Sequence, residues 1–123
     1  MRFPIAFDHW FEVVSRVLLI PASTAYVTVD DDQVDVRFGW GFRSTFPRAA
    51  VRDARVDHRR RSPVSRGAHG WRGRWLVNGA GAPLVEIDLE PRQLARVLGI
   101  AIHVHQLIVS VEDSDRLAKE LVA

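Results

Sequence analysis

Arginine and histidine are concentrated in one polar stretch, residues 58–70, where they could bind an anion. The stretch contains turn-forming residues and shows no apolar periodicity. Guanidinium groups present parallel N–H donors that match the oxygens of phosphate and carboxylate groups. We therefore predict a site for an anionic ligand in this basic loop (residues 58–70). The proposed ligand-binding residues are Arg59, Arg60, Arg61, Arg66 and His69.

The partner of the basic loop is left open by the sequence. An anionic lipid headgroup and an acidic protein surface both fit, because basic residues near an anionic bilayer contribute about 1 kcal/mol each. Nucleic acid is disfavoured, since no aromatic side chain between Arg52 and Gly70 could stack on a base. The competing interpretation is a solvated loop without a ligand, which is the usual role of a run of charge.

Two histidines, His103 and His105, are separated by one residue in an alternating apolar stretch. Alternate side chains of a strand point the same way, so both imidazoles could bind one metal ion. A catalytic zinc site needs a third protein ligand, and the spacing identifies none. A metal-dependent enzyme or metal-binding protein at this pair is the alternative function, while two solvent-facing histidines are the simpler interpretation.

Three carboxylates, Glu86, Asp88 and Glu90, alternate along one face of a predicted strand. In a symmetric hairpin with the preceding strand, Arg74 faces Asp88 and Arg72 faces Glu90. Opposite charges across two strands help to select a register. We therefore predict that these groups neutralise one another and do not form an acid–base pair for catalysis.

Composition excludes several classes of site. Cysteine is absent from the 123 residues, so disulfides, thiolate metal sites and cysteine nucleophiles are excluded. No Ser-His-Asp pattern or phosphate-binding glycine loop is present, and we predict neither catalysis nor a cofactor. No apolar stretch reaches the roughly 20 residues that cross a bilayer. We expect one cytoplasmic domain over residues 1–123, with peripheral membrane association left open.

Strands are the elements that must position these residues, and they are predicted between residues 25 and 111. The clearest is a meander from Tyr26 to Pro47, in which apolar and polar residues alternate on both sides of an acidic turn. Its best register pairs residue 27 with 36 and residue 29 with 34, which places the valines on one face. Trp40 lies in a glycine-flanked turn, where it could be an exposed anchor for a ligand or a membrane. The favoured interpretation is that it folds back over the end of a barrel.

Helices are predicted at the two ends of the chain. Apolar spacing after Asp8 indicates an N-terminal helix within residues 1–21, ended by Pro21. Asp113 begins a C-terminal helix over residues 113–122. Residues 71–78 are predicted as a single strand, whereas residues 91–99 fit either a helical turn or an extended segment.

Two short motifs resemble the bacterial pleckstrin-homology-like domains. Residues 46–51, FPRAAV, are similar to the I-P-x-x-x-I link after the third strand of that group. Residues 109–117, VSVEDSDRL, are similar to its I-S-x-x-D-x-x-x-F/L motif before the last helix. Residues 25–122 are also similar to small actinobacterial proteins that contain the segments VRFGWGFR and GWRGRWLVNG.

The resemblance implies a mainly β, α+β fold. Its core would be a seven-stranded antiparallel bent sheet or barrel with a C-terminal capping helix, and the N-terminal helix would be an addition. It also implies a non-enzymatic module that binds an anionic ligand, a membrane surface or a protein partner. A self-assembling scaffold, and so a homo-oligomer, is the third hypothesis, because open bent sheets offer edges for pairing.

Overall fold

The computed structural model describes residues 1–8, 24–58, 67–78 and 83–122. In this part of the chain, a single curled sheet forms a half-barrel that is followed by one C-terminal helix. The strands are β1 (Arg2–Pro4), β2 (Ala25–Val29), β3 (Gln33–Phe38), β4 (Phe42–Pro47), β5 (Val51–Asp57), β6 (Gly67–Trp71), β7 (Arg74–Asn78), β8 (Leu84–Val97) and β9 (Ile100–Val109), and the helix is Ser114–Val122.

Strand β8 is the centre of the sheet. The strand order is β1-β2-β3-β4-β8-β9-β7-β6, and β5 pairs with β8 off this path. Strand β8 therefore contacts β5 through its first half, β4 through its second half, and β9 on both sides of a bulge. The mainly β fold is confirmed. The described residues form nine strands where seven were expected, and β7 and β9 are parallel.

The predicted register of the central meander is confirmed. Val27 pairs with Val36 and Val29 pairs with Val34. All four side chains are buried in the core, while the residues between them are partly or fully exposed. Burial of one face fixes the register, because a slip by one residue would move every valine to the solvent side.

Two tight turns were not predicted. Strand β6 reverses into β7 through Arg72 and Gly73, with φ of 53° and 84°, and β8 reverses into β9 through Leu98 and Gly99, with φ of 51° and 81°. Two-residue hairpin loops with positive φ at both positions match the right-handed twist of the flanking strands. The single strand expected over residues 71–78 is therefore wrong, and residues 91–97 are extended.

The predicted N-terminal helix, residues 1–21, falls mostly outside the described residues. Its described beginning is extended, because Arg2–Pro4 form β1 against β2 and Ile5 forms a bridge with Val111. The extended conformation of residues 2–5 matches their alternating burial, since Phe3 and Ile5 are both buried while Pro4 is exposed. A helical conformation of residues 2–4 is therefore wrong.

The predicted C-terminal helix is confirmed and packs mainly on β5, with Leu117 and Leu121 buried. Its last turn is bound by Arg48, which lies in a 3-10 turn between β4 and β5. Arg48 Nη2 donates to the Glu120 carbonyl oxygen and lies 3.2 Å from Glu120 Oε1, while Nη1 donates to the Asp30 carbonyl oxygen at 3.0 Å. Arg48 thus connects the helix to the β2–β3 loop.

Candidate functional site

Two loops lie side by side at one end of the sheet. The β3–β4 loop, residues 39–41, and the β8–β9 turn are joined by a 3.0 Å hydrogen bond from Leu98 N–H to the Gly41 carbonyl oxygen. Next to this bond, Phe42 pairs with Val97 across β4 and β8. Residues 39–41 and 98–100 together form the tip of the sheet, and backbone bonds hold its two halves in one arrangement.

The tip exposes three large apolar side chains. Trp40 is 59% exposed, Leu98 is 62% exposed and Ile100 is 68% exposed. A single exposed apolar residue is ordinary on a protein surface. Here Trp40 and Leu98 lie on adjoining turns and Ile100 is the first residue of β9, so we treat the three as one apolar patch. The expectation that Trp40 folds back over the end of a barrel is not supported, because Trp40 is largely exposed whereas Phe42, two residues later, is buried.

A row of arginines crosses the outer face of the sheet next to the tip. Arg37 pairs with Arg43 across β3 and β4, and Arg43 pairs with Arg96 across β4 and β8. Directly opposed side chains of neighbouring strands have Cβ atoms about 4.5–5.5 Å apart, and like charges in such pairs destabilise a sheet. We refer to Arg37, Arg43 and Arg96 as the arginine row.

The arginine row is only partly neutralised. Asp35 Oδ1 lies 3.8 Å from Arg43 Nε, but the same oxygen also accepts a 2.9 Å hydrogen bond from Thr45 Oγ1. Arg96 Nη1 donates to the Gly99 carbonyl oxygen at 3.3 Å. Among the described residues, neither Arg37 nor Arg96 has a carboxylate partner. The surface beside the apolar tip therefore carries a net positive charge.

The anion site predicted from the sequence lies outside the described residues. Arg59, Arg60, Arg61 and Arg66 lie outside the described residues, as does the side chain of His69. The strands that flank this segment can be located, since Asp57 at the end of β5 pairs with Leu84 at the start of β8. The tip lies at the opposite end of β8. The arginine row therefore lies away from the end of β5, the last described strand before the basic loop in the sequence.

His103 and His105 lie on the outer face of β9, as expected for alternate strand residues. His103 is exposed and pairs with Leu94, whereas His105 is half-buried with its ring against Gly73. Across residues 1–8, 24–58, 67–78 and 83–122, no three metal-ligating side chains come together. The described chain therefore supplies no third ligand to this pair.

The carboxylates of β8 are paired with arginines, but not with the ones expected. Arg55 lies 2.8 Å from both Glu86 and Asp88, and Arg52 lies 3.1 Å from Glu90. The expected pairing with Arg72 and Arg74 is wrong because β7 pairs with β9 and not with β8. The hydrogen bond from Arg55 lowers the pKa of Asp88, and the same bond raises the pKa of Arg55.

Comparison with known proteins adds no family. No protein-family model, no curated protein and no solved structure matches the chain. Within the described part of the chain, no helix has the length and apolar character needed to cross a membrane. Function is therefore inferred from the residues themselves.

Sequence reasoning missed the tip because its parts are far apart in the chain. Arg43 and Arg96 become neighbours only through the pairing of β4 with β8. The only local signal at the β8–β9 turn was Gly99, because the first position of such a two-residue loop favours Asn, Asp or Gly and Leu98 is none of these.

Proposed function

We propose that this protein is a non-enzymatic binding module whose tip docks on an anionic membrane surface. Trp40, Leu98 and Ile100 enter the interfacial region of the bilayer. The arginine row contacts lipid phosphate groups from the adjoining face of the sheet. The observation that supports this most directly is the position of an exposed apolar patch beside like-charged residues on neighbouring strands.

The chemistry of the two groups is complementary to a bilayer. Tryptophan favours the level of the lipid headgroups, where its ring is apolar and its N–H meets water. Burial of apolar surface contributes about 25 cal/mol per Å². The three arginines contribute roughly 3 kcal/mol near an anionic surface, at about 1 kcal/mol each. We propose that apolar burial and the attraction of the arginines to anionic lipid are both needed, so binding depends on lipid charge and on the apolar tip.

A membrane suits this surface better than a protein partner. A standard protein interface buries about 800 Å² on each side. Three exposed side chains, at residues 40, 98 and 100, offer less area than this, which is too little for a stable protein complex but sufficient for shallow insertion into lipid. The arginines also gain from diffuse anionic charge, since each carries several donors and can meet separate headgroups.

The other expectations from sequence stay proposals. The basic loop, with Arg59, Arg60, Arg61, Arg66 and His69, remains a proposed second contact for an anionic ligand. The relationship to pleckstrin-homology-like domains is likewise proposed, and its support is a strand-rich chain followed by one helix. Self-assembly and a metal-dependent activity at His103 and His105 are not favoured by any contact in the described residues.

The test is co-sedimentation with vesicles at low and high salt. We expect binding to vesicles of phosphatidylcholine and phosphatidylserine, no binding to phosphatidylcholine alone, and loss of binding at high salt, where the Debye length falls to about 3 Å at 1 M. Ile100→Ser should weaken binding, whereas Val122→Ser, at an exposed apolar residue of the C-terminal helix, should not. Equal binding of both variants would exclude the tip as the docking surface.

A further inference from the structure

A bulge in β8 opens a second cationic surface, away from the tip. Strand β8 pairs with β9 at Asp88↔Gln106 and again at Gln93↔Val104, so residues 89–92 lie opposite the single residue His105. A cleft of about 520 Å³ opens at this bulge, between β7, β8 and β9. Bulges re-aim side chains and often lie next to functional sites. The bulge cleft is lined by Arg74, Arg92, His105 and Gln106, among others.

Arg74 is held in this cleft by a chain of hydrogen bonds that crosses four strands. Arg55 on β5 donates to Asp88 on β8 at 2.8 Å, and Gln106 Nε2 on β9 donates to Asp88 Oδ1 at 2.9 Å. Gln106 Oε1 then accepts from Arg74 Nε on β7 at 2.8 Å.

This chain fixes the orientation of the Gln106 amide. Its NH₂ must face a carboxylate and its oxygen must face a guanidinium. Arg74 is therefore oriented through Nε, and within the described residues its two Nη groups have no protein acceptor.

The cleft has an excess of positive charge. Its two carboxylates are occupied, because Asp88 is bound by Arg55 and Glu90 lies 3.1 Å from Arg52. Arg74 and Arg92 have no carboxylate partner among the described residues, although both line the cleft. An oriented guanidinium loses less conformational entropy when it binds an oxyanion than a free side chain does.

His105 adds a third polar group to the cleft. Its Nδ1 is buried and has no hydrogen-bond partner in the described part of the chain. The ring packs on Gly73, where a Cβ atom would lie only 2.6 Å from Nδ1. Only Nε2 is therefore free to meet a ligand.

We propose that the bulge cleft binds the phosphate group of a small phosphorylated molecule. Arg74 supplies two N–H donors, Arg92 supplies charge from the bulged segment, and His105 Nε2 supplies a third direction of contact. The volume lies in the range of small-molecule sites, about 300–1,000 Å³, so the cleft has room for more than the bare phosphate. Gln106 is a positioning residue, since it acts through Arg74. This inference does not depend on membrane docking by the tip.

The test is calorimetric titration of the full chain with inorganic phosphate and glycerol phosphate, with acetate as the carboxylate control. We expect the phosphates to bind and acetate to bind more weakly. The double variant Arg74→Gln/Arg92→Gln should lose about tenfold or more in affinity, because two charge-assisted hydrogen-bonding groups are removed. Arg116→Gln, at an exposed residue of the C-terminal helix, is the matched control and should bind phosphate unchanged.

Gln106→Met tests the positioning role separately. It keeps the length of the side chain but removes both hydrogen bonds, so phosphate affinity should fall several-fold while the apolar tip still binds vesicles. A thermal unfolding curve close to that of the parent shows that the fold is retained. Unchanged affinity in Gln106→Met would overturn the positioning role, and unchanged affinity in the double arginine variant would overturn the site.

Vesicles that contain phosphatidic acid distinguish a lipid phosphate from a soluble one. The phosphate belongs to a lipid headgroup if soluble phosphates do not bind and the double arginine variant binds these vesicles more weakly than the parent. In that case, adding the double arginine substitution to Ile100→Ser should weaken its vesicle binding further. If soluble phosphates bind and the double variant abolishes this, the source is soluble. Insensitivity of the double variant in both assays rejects the proposal, whatever the result for the tip.

Discussion

Arg55 and Asp88 are joined across β5 and β8 by a 2.8 Å bond between Nη1 and Oδ2. The same guanidinium reaches Glu86 on β8 at 2.8 Å and Asp53 on its own strand at 3.3 Å. One arginine thus gathers three carboxylates on the outer face of the sheet. The local charge balance leaves Arg74 without a carboxylate of its own, which links the packing of β5 to the chemistry of the cleft.

The Arg55–Asp88 bond should make stability depend on acid pH. Because the bond lowers the pKa of Asp88 in the folded state, its contribution is present above the unfolded pKa of about 3.9 and is lost as pH falls through the folded value. We expect the stability difference between the parent and Asp88→Asn to be constant above about pH 5 and to shrink below it. Urea unfolding at a series of pH values measures this. Asp31→Asn, in the exposed β2–β3 loop, is the control, and a difference that does not change with pH would contradict the assignment.

Gly70 should resist any side chain. It pairs with Trp75 across β6 and β7, and a Cβ at this position would lie 2.0 Å from Trp75 Cε2. Gly70→Ala would displace the indole ring from its place near Phe42, whose ring centroid lies 5.9 Å away. We expect a loss of about 1–3 kcal/mol in the free energy of unfolding, as for an overpacked core.

Gly41→Ala is the matched control for that substitution. A Cβ at Gly41 would make only an ordinary contact of 3.7 Å with the Phe38 carbonyl oxygen. Its effect on the free energy of unfolding should stay within about 0.5 kcal/mol. Denaturant unfolding followed by tryptophan fluorescence compares the two. Equal losses for Gly70→Ala and Gly41→Ala would show that the indole ring does not enforce the glycine.

Arg48→Ala should loosen the end of the C-terminal helix. The substitution removes the donors to the Asp30 and Glu120 carbonyl oxygens, and a cation near the last turn also interacts favourably with the helix dipole. We expect a loss of about 1–2 kcal/mol and faster amide hydrogen exchange in the last turn. Arg116→Ala, at an exposed residue of the same helix, should leave exchange unchanged. If both variants exchange alike, the contact made by Arg48 does not hold the helix end.

The arginine row should lower stability while it supports binding. Arg37→Gln removes one of two opposed pairs of like charges, so the free energy of unfolding should rise by about 0.2–1 kcal/mol at low salt. The gain should shrink at high salt because the repulsion is screened. The same variant should bind anionic vesicles more weakly. Thermal unfolding and co-sedimentation on one preparation measure both, and a variant that is less stable at low salt would show that Arg37 is not under repulsion.

The parts of the fold that follow from local pattern were predictable. The register of Val27 with Val36 depends on alternation within one short hairpin, and the sequence contains all of that information. The start of the C-terminal helix near Asp113 is equally local. In both cases, the residues that decide the structure lie within a few positions of each other.

The rest depends on contacts between distant segments. The residues of β7 do not themselves show whether this strand pairs with β8 or, in parallel, with β9. Because it pairs with β9, Arg74 binds Gln106 and not Asp88, its expected partner. The Trp71–Gly73 segment also alternates as a strand would, while its positive φ values create a turn. The candidate site residues at the tip and in the cleft come together only after these pairings form.

The central position of β8 has a consequence for how the chain reaches its native state. The β8–β9 hairpin can close early through its two-residue turn, but the β4–β8 pairing joins residues about fifty positions apart, as Ser44 and Ala95 show, and the Ile5–Val111 bridge joins residues still farther apart. Each such closure has an entropic cost before any contact forms. We therefore expect refolding on the millisecond-to-second scale of sheets dominated by distant pairings, with the hairpin as an early nucleus and the half-barrel as its slow completion.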